Sequence, residues 1–305
     1  MDLDNLKVLE TIQLEKEGPN GVGGGFINRL QVLENGNLLL FNFNKISEID
    51  SKGNLIKNHE FNKETIKGYE WEETDALDNY GRFSPDGKLF MTRLIDEDYQ
   101  KPSKGLAIIE VESGMMKAIK TDAFSKLDQY RISMVSEGGR SSMFAGESVF
   151  MDFDGDHFIV SNSAINEVYY YDFKSDTLFH KKFESSLTAN ERVINYPQTT
   201  ETPEEFQKVM RQKMEQVQFA RLTPQPKENL FWRFTRDQDR KIADSVVYKD
   251  VLTFFDSDYK MIHEEKVDQV PNSRISFFKD GMLYSFVNID DELAFIRTKA
   301  TISKN

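Results

Sequence analysis

Apolar and polar residues alternate along this chain in short runs, and a tight polar turn separates one run from the next. Alternation of this kind predicts β-strands with one buried face, and an Asn-Gly or Asp-Gly turn predicts that its flanking strands form a hairpin. Five segments have this pattern: 29–42, 82–93, 148–161, 221–234 and 274–287. Four of them turn at Gly36, Gly87, Gly155 and Gly281, and the segment 221–234 has a longer Pro-Lys-Glu-Asn loop.

A second type of hairpin follows the first in regular order, at 45–58, 105–119, 167–183 and 251–267. The last unit has only the strand 293–302, and the N-terminal segment 2–14 resembles its missing partner. Repeated four-stranded units predict an all-β fold, a β-propeller in a single domain over residues 1–305. The N-terminal strand is expected to close the ring. The alternative is a β-sandwich, and five or six blades fit the pattern.

Two stretches depart from the strand pattern. Residues 203–217 place apolar side chains three or four positions apart behind Thr202, which predicts a short amphipathic helix; 121–129 gives a weaker helical signal. The long connections should all leave the blades on one face: 15–26, 58–80, 94–104, 120–146, 184–220 and 235–249. Long loops in compact domains usually serve a function, so this face is the expected functional face.

Composition excludes several classes of site. The 305 residues include no cysteine, which removes disulfides, thiolate nucleophiles, zinc–thiolate sites and iron–sulfur clusters. A net charge of −12 without a basic stripe argues against nucleic-acid binding. No apolar run is long enough for a membrane helix, and the N-terminus does not resemble a signal peptide. The four histidines are scattered, so no two-histidine metal site on a helix is predicted. The segment 152–156 has the spacing of a hairpin turn rather than of a calcium-binding loop. No cofactor is expected.

Arginines recur where innermost strands should begin on the functional face. These candidate residues are Arg29, Arg82, Arg221 and Arg274, with Glu147 at the equivalent position of the third blade and Arg233 near the end of a neighbouring strand. Guanidinium groups bind carboxylates and phosphates through paired hydrogen bonds, and Trp71 or Tyr80 could stack on a sugar ring. The pattern supports a site for an anionic small molecule or an acidic sugar. The alternative is that these arginines pair with acids of the loops.

Two other functions remain open. A carbohydrate-active hydrolase or lyase would use loop carboxylates, for which the candidates are Glu70, Glu72, Glu73, Asp75 and Glu147. A protein-interaction scaffold would need no small ligand. The chain has no G-x-S-x-G nucleophile motif, and a non-enzymatic binding protein is the leading hypothesis.

Several segments resemble known proteins. The segment FSPDGKLF (83–90) is similar to the strand–turn–strand signature of TolB-type propellers. Together with LEKEGPNGVGG (14–24), the spacer 184–210 and NLFWRFTR (229–236), it resembles an uncharacterised Bacteroidetes β-propeller family of unknown function. The resemblance implies an exported lipoprotein of the cell envelope, held at the membrane only through a lipid anchor that this chain lacks. It implies no catalytic residues.

Overall fold

The computed structural model describes residues 2–5, 7–23, 27–42, 45–98, 101–135, 141–243, 245–268 and 276–299. The chain divides into two compact units, Met1–Ser125 (unit 1) and Lys126–Asn305 (unit 2). The described residues form small sheets whose strands pair antiparallel, with one parallel pair among them. The prediction of an all-β fold is confirmed.

Unit 1 contains two sheets built from the predicted hairpins. The first has the order β1 (Arg29–Val32), β2 (Leu38–Phe41), β3 (Ile46–Ile49) and β4 (Leu55–His59). The second contains β5 (Asp75–Leu77), β6 (Arg82–Phe83), β7 (Leu89–Asp96), β8 (Gly105–Glu110) and β9 (Met116–Lys120), with both β5 and β6 paired to β7. Gly36 and Gly87 have φ angles of +85° and +74°, which explains why these turns need glycine.

A side chain joins strand β1 of the first sheet to strand β6 of the second. Gln31 on β1 donates to the Phe83 carbonyl of β6 at 2.6 Å and accepts from the Phe83 amide at 3.2 Å. Phe83 itself is buried against Phe90, with ring centroids 4.8 Å apart. The ends of β1 and β6 are therefore held together, so that residues beside them share one surface.

Unit 2 carries the remaining sheets. After a 3-10 helix at Ser125–Tyr130 come β10 (Ile132–Val135) and β11 (Ser141–Ala145), then a four-stranded sheet of β12 (Val149–Asp154), β13 (His157–Asn162), β14 (Glu167–Asp172) and β15 (Thr177–Lys182). They are followed by β16 (Thr199–Thr200), α1 (Pro203–Met214), β17 (Gln218–Phe219), β18 (Thr223–Gln225), β19 (Leu230–Ile242), β20 (Ser245–Phe255), β21 (Met261–Val267), β22 (Ser276–Lys279), β23 (Met282–Ile289) and β24 (Glu292–Thr298).

The predicted helix is confirmed at α1, where the Thr202 side chain accepts a hydrogen bond from the Glu205 amide at 3.2 Å. Its buried face covers a sheet that sequence reasoning did not predict, formed by β11, β10 and the parallel strand β16. Phe206 and Val209 of α1 pack with Ile132 of β10 and with Tyr196. The connections 120–146 and 184–220 thus build a small packed layer rather than two separate loops.

One predicted loop is wrong. Residues 235–249 were expected to connect two strands, but β19 and β20 continue as one hairpin as far as the pair Ile242 and Ser245. Arg236 lies opposite Asp250 in the register, and its Nε donates to that carboxylate at 2.9 Å. Cross-strand ion pairs of this kind stabilise a polar ribbon, which explains why these hydrophilic residues extend the hairpin.

The predicted N-terminal strand is not seen in the described part of 2–14. The only bridge there joins Asp2 to Lys7, and the side chains of Val8 and Leu9 are exposed. A strand needs a neighbour to pair its backbone groups, and these residues have no such ladder among the described ones. Ring closure by this segment is therefore not supported.

Candidate functional site

Arg29, the first residue of β1, uses its guanidinium group within unit 1. Its Nη1 donates to the Tyr80 carbonyl at 3.0 Å, and its Nη2 donates to the Gly81 carbonyl. The group also lies 3.8 Å from the centroid of the Phe41 ring. Two carbonyls and one aromatic face stabilise this cation, so Arg29 links β1 to the start of β6.

Tyr80 and Arg82 lie at the same corner of unit 1. Tyr80 as a whole residue is 53% exposed, and its backbone amide donates to Asp78 Oδ1 at 2.9 Å. Arg82 is half-buried and is the first residue of β6, directly after the carbonyl that Arg29 contacts. The structure therefore brings together Arg29, Tyr80 and Arg82, three of the predicted site residues.

Trp71 lies in the connection between β4 and β5, half-buried against the core of unit 1. Its ring meets Tyr69 edge to face at a centroid distance of 5.2 Å. Its Nε1 is buried and has no hydrogen-bond partner among the described residues. Most of this indole packs against the core, which leaves Tyr80 as the more accessible aromatic residue.

Two of the loop carboxylates considered for a hydrolase, Glu72 and Asp75, share one cation. Lys104 Nζ lies 2.6 Å from Asp75 Oδ1 and 2.6 Å from Glu72 Oε2, and the Tyr69 hydroxyl donates to Asp75 Oδ2 at 3.0 Å. Burial opposes ionisation of Asp75, but the bonds from Lys104, the Glu72 amide and Tyr69 hold its pKa below the ordinary value. Burial beside Asp75 raises the pKa of Tyr69 to about 12. Asp75 and Glu72 therefore share one lysine, which favours the ionised form of Asp75.

Arg221 pairs within unit 2. It lies two residues before β18, and its Nη2 donates to Asp152 Oδ2 of β12. Of the neighbouring acids in the predicted turn, Asp154 accepts from the Tyr259 hydroxyl at 3.3 Å, and burial raises its pKa.

Within the described ranges, no three His, Asp or Glu residues are grouped closely enough to hold a metal ion.

Glu147 is the acceptor of a buried polar cluster. Its Oε1 lies 2.9 Å from Arg192 Nη1 and 2.8 Å from Lys213 Nζ, while Ser163 Oγ donates to Oε2 at 2.6 Å. Lys213 also donates to the Tyr130 carbonyl at 2.8 Å. Burial lowers the pKa of Lys213, although its bond to Glu147 acts in the opposite direction. Glu147 therefore anchors α1 rather than facing a ligand.

Arg233 is fully enclosed on β19. Its Nη2 donates to Asn166 Oδ1, and its guanidinium lies 4.9 Å from the ring centroids of both Phe219 and Phe255. Burial lowers its pKa to about 9, with a smaller opposing effect from Glu264. At 3% exposure this side chain has no direct access to solvent. Arg274 lies outside the described residues.

Sequence reasoning missed a second polar group in unit 2. The buried carboxylate of Glu167, at the start of β14, lies 2.6 Å from Lys126 Nζ and 2.8 Å from His180 Nε2. Lys126 is 41 positions away in the sequence and His180 is 13, so no local motif joins them. The only available signal was the alternation of side chains along paired strands, which places His180 on the same face of the sheet as Glu167.

No helix in the described part of the chain is long and apolar enough to cross a membrane. No curated protein matches this sequence. Among solved structures, the chain is similar to a DUF4221 family member from Bacteroides vulgatus, with 14% identity, a TM-score of 0.65 and coverage of 98% of this chain and 85% of that one.

Weaker similarities link the chain to a putative 6-phosphogluconolactonase from Bacteroides fragilis and an α-L-arabinanase from Penicillium chrysogenum. The first has 12% identity, a TM-score of 0.37 and coverage of 88% and 69% of the two chains. The second has 12% identity, a TM-score of 0.34 and coverage of 89% and 80%. The family model for a domain of unknown function, DUF4221, matches residues 1–266. The chain therefore belongs to the DUF4221 family.

Proposed function

We propose that this protein is a non-enzymatic binding protein built as a β-propeller, and that it recognises a small anionic ligand such as an acidic sugar. The observation that carries the proposal is the corner of unit 1 where Arg29 bonds the backbone of the exposed Tyr80 and Arg82 follows two residues later. Arg29 contacts the backbone at Tyr80 and Gly81, and Arg82 follows at once. A carboxylate at Arg82 would place a sugar ring beside the Tyr80 side chain.

The other predicted site residues are not proposed to contact the ligand directly. Arg221 is paired with Asp152, and Glu147 is paired with two buried cations. They support the fold around a site rather than contact a ligand. Trp71 contributes a ring at the edge of the core, and Arg233 would require a rearrangement to reach any ligand. The proposed contacts are therefore Arg82 and Tyr80, with Arg29 as the residue that positions them.

A binding assay tests this proposal. We expect glucuronate at 100 times its dissociation constant to add about 2.7 kcal/mol to the free energy of unfolding, and neutral glucose to add nothing. Arg82→Gln and Tyr80→Ala should each weaken glucuronate binding at least about tenfold, a loss of about 1.4 kcal/mol. Arg211→Gln, which removes an exposed guanidinium from α1, is the matched control and should keep the affinity. Equal binding by all three variants would refute the proposed site.

A protein-interaction scaffold is the second candidate, and one surface favours it. Val193 and Met214 are exposed beside Gln216, whose side chain accepts a hydrogen bond from the Val193 amide at 2.7 Å. Exposed apolar side chains near one another are typical of protein contacts. Val193→Asp should abolish co-purification of a partner if this function is the main one, while glucuronate binding stays unchanged.

The proposal includes a location in the cell envelope, which rests on the family resemblance. Fractionation of cells that express the natural gene tests it. We expect the protein in the membrane fraction, and its recovery in the soluble cytoplasmic fraction would contradict the location without affecting the ligand site.

A further inference from the structure

An open cavity of about 350 Å³ lies in unit 2, and none of the predicted site residues lines it. One wall consists of residues 181–183 at the end of β15, and the other is the turn 256–261 between β20 and β21. The lining includes three lysines, two aspartates and the larger side chains of Phe183, Tyr259 and Met261. Small-molecule sites start at about 300 Å³, so this cavity can hold a small ligand.

The turn that forms the second wall is fixed by its own hydrogen bonds. Asp256 Oδ1 accepts from the Asp258 amide at 3.0 Å and from the Lys260 amide at 2.8 Å. The Asp256 amide donates to the Lys260 carbonyl at 3.0 Å, and its carbonyl accepts from the Tyr259 amide at 3.0 Å. A wall that is ordered before a ligand arrives reduces the entropy lost on binding.

Tyr259 is buried at the base of the cavity and supports it. Its hydroxyl lies 2.9 Å from His157 Nδ1, and its ring centroid lies 4.7 Å from that of Tyr170. Of the other large lining side chains, Met261 is half-buried and Phe183 is buried except for its edge. The apolar part of a ligand would therefore contact Met261 first, and burial of that contact favours binding.

Lys181 connects the two walls of the cavity. Its Nζ donates to the Asp258 carbonyl and lies 5.6 Å from the centroid of the Tyr170 ring. It has no carboxylate partner among the described residues. An ammonium group has three hydrogens, and this carbonyl uses one of them. The Lys181 side chain is half-buried, so its charge is less screened by water than that of an exposed lysine.

The charges of the lining favour an anion. Three lysines and two aspartates give it an excess of one positive charge, in a protein whose net charge is −12. The Asp256 carboxylate is already bonded to two amides of its own turn. Asp258 and Lys260 are exposed, and water and salt screen their charges. Lys181 is therefore the charge that a ligand in the cavity senses most strongly.

We propose that this cavity binds a small carboxylate that carries an apolar body. The carboxylate accepts a hydrogen bond from Lys181 Nζ, and the apolar body contacts Met261. Lys260 adds attraction at longer range. The site is separate from the one at Arg82, and the ligand differs because a hydrocarbon group takes the place of the hydroxyl-rich ring of an acidic sugar.

Methionine-methyl NMR tests this proposal, because the chain has 11 methionines and Met261 lines the cavity. The experiment uses the full chain with labelled methionine methyl groups and the Arg82→Gln substitution, which removes the site proposed in unit 1. Met261→Leu assigns the signal. We expect benzoate to shift the Met261 signal in a saturable manner. Acetate lacks the ring, benzyl alcohol lacks the charge, and benzylamine reverses the charge; each should bind at least about tenfold more weakly than benzoate.

Variants decide the role of each lysine. Lys181→Gln should weaken benzoate binding at least about tenfold, while Lys181→Arg keeps the charge and should retain the affinity within about threefold. Lys260→Gln should weaken binding about twofold at low salt and have no effect at high salt. Lys208→Gln, at an exposed position of α1, is the control and should bind like the parent.

Three results would each overturn the proposal. The first is a Met261 signal that benzoate does not move. The second is binding of benzyl alcohol or benzylamine that equals or exceeds that of benzoate. The third is equal affinity of Lys181→Gln and the parent, provided that the methionine signals far from the cavity show the variant to be folded.

Discussion

Each unit contains a histidine bonded to a glutamate of the neighbouring strand, and the two pairs differ in their access to solvent. In unit 1, His59 Nε2 lies 2.9 Å from Glu48 Oε2, and the His59 side chain is 4% exposed. In unit 2, the His180–Glu167 distance is similar at 2.8 Å, but the His180 side chain is 34% exposed. The same two residue types therefore form a core contact in one unit and an open polar group in the other.

The neighbours of each pair explain the difference. His59 packs against the Phe83 ring with centroids 4.8 Å apart, and Asn37 Nδ2 supplies the second bond to Glu48 at 2.7 Å. Burial lowers the pKa of His59, and the weaker influence of Glu48 does not reverse this effect. Beside Glu167, Asn162 Nδ2 makes the equivalent bond at 3.1 Å, and Lys126 adds a cation at 2.6 Å. In unit 1 a neutral imidazole bonded to a carboxylate and surrounded by aromatic rings stabilises the core, whereas in unit 2 the group around Glu167 includes the partly exposed cation of Lys126.

Removal of the glutamate carboxylate should give the largest difference in the free energy of unfolding between the two histidine–glutamate pairs. Glu167→Ala leaves a lysine and a buried amide without an acceptor, and we expect it to lower the free energy of unfolding by about 3 kcal/mol. Glu48→Ala leaves a neutral imidazole and an amide, and should cost about 1–2 kcal/mol. Urea unfolding at pH 7 measures both. Glu112→Ala, at an exposed position, should change stability by less than about 0.5 kcal/mol. Equal losses for Glu48→Ala and Glu167→Ala would contradict the comparison.

Acid should weaken unit 1 through His59. Its pKa in the folded protein is below the ordinary value of 6.5, so the unfolded chain takes up a proton first as the pH falls. The stability associated with neutral His59 is therefore present above pH 6.5 and decreases below it. Urea unfolding of the parent and of His59→Gln between pH 8 and pH 5 measures this effect. The parent should lose more stability than the variant below pH 6.5, and a constant difference over the whole range would show that His59 does not contribute.

The smallest expected effect separates ring stacking from hydrogen bonding at His180. Tyr169→Phe keeps the ring that stacks on His180 and removes only the hydroxyl that contacts Lys126. We expect a loss of about 0.5–1 kcal/mol in the free energy of unfolding, because one hydrogen bond disappears. The Nε2–H tautomer of His180 should persist in NMR spectra of the variant. A changed tautomer would show that Tyr169, rather than Glu167, orients the imidazole.

Local patterns predicted the hairpins and the helix well. Gly36 and Gly155 adopt positive φ angles in their turns, and α1 begins after its Thr202 cap. These features depend on residues within a few positions of each other, where backbone sterics and capping bonds decide the conformation. The sheet of β10, β11 and β16 was missed because β16 has two residues and pairs with a strand 66 positions earlier.

The candidate site was predicted less completely, because residue types do not reveal their partners. Arg29 and Arg233 were both predicted to lie near the functional face, yet one contacts backbone carbonyls at a partly exposed corner and the other is enclosed by phenylalanine rings. A guanidinium group can satisfy its donors with carbonyls, amides or carboxylates. Which of these acceptors lies within reach depends on how the strands pack.

By itself, the sequence determined the glycine turns and the hairpins that they join, and it placed the helix behind Thr202. The tertiary structure alone decided which polar side chains are enclosed and which remain open. The physical reason is the range of the interactions involved. Turn conformation and alternation act between adjacent residues, whereas the burial of Glu167 and its contact with Lys126 depend on elements brought together only by folding.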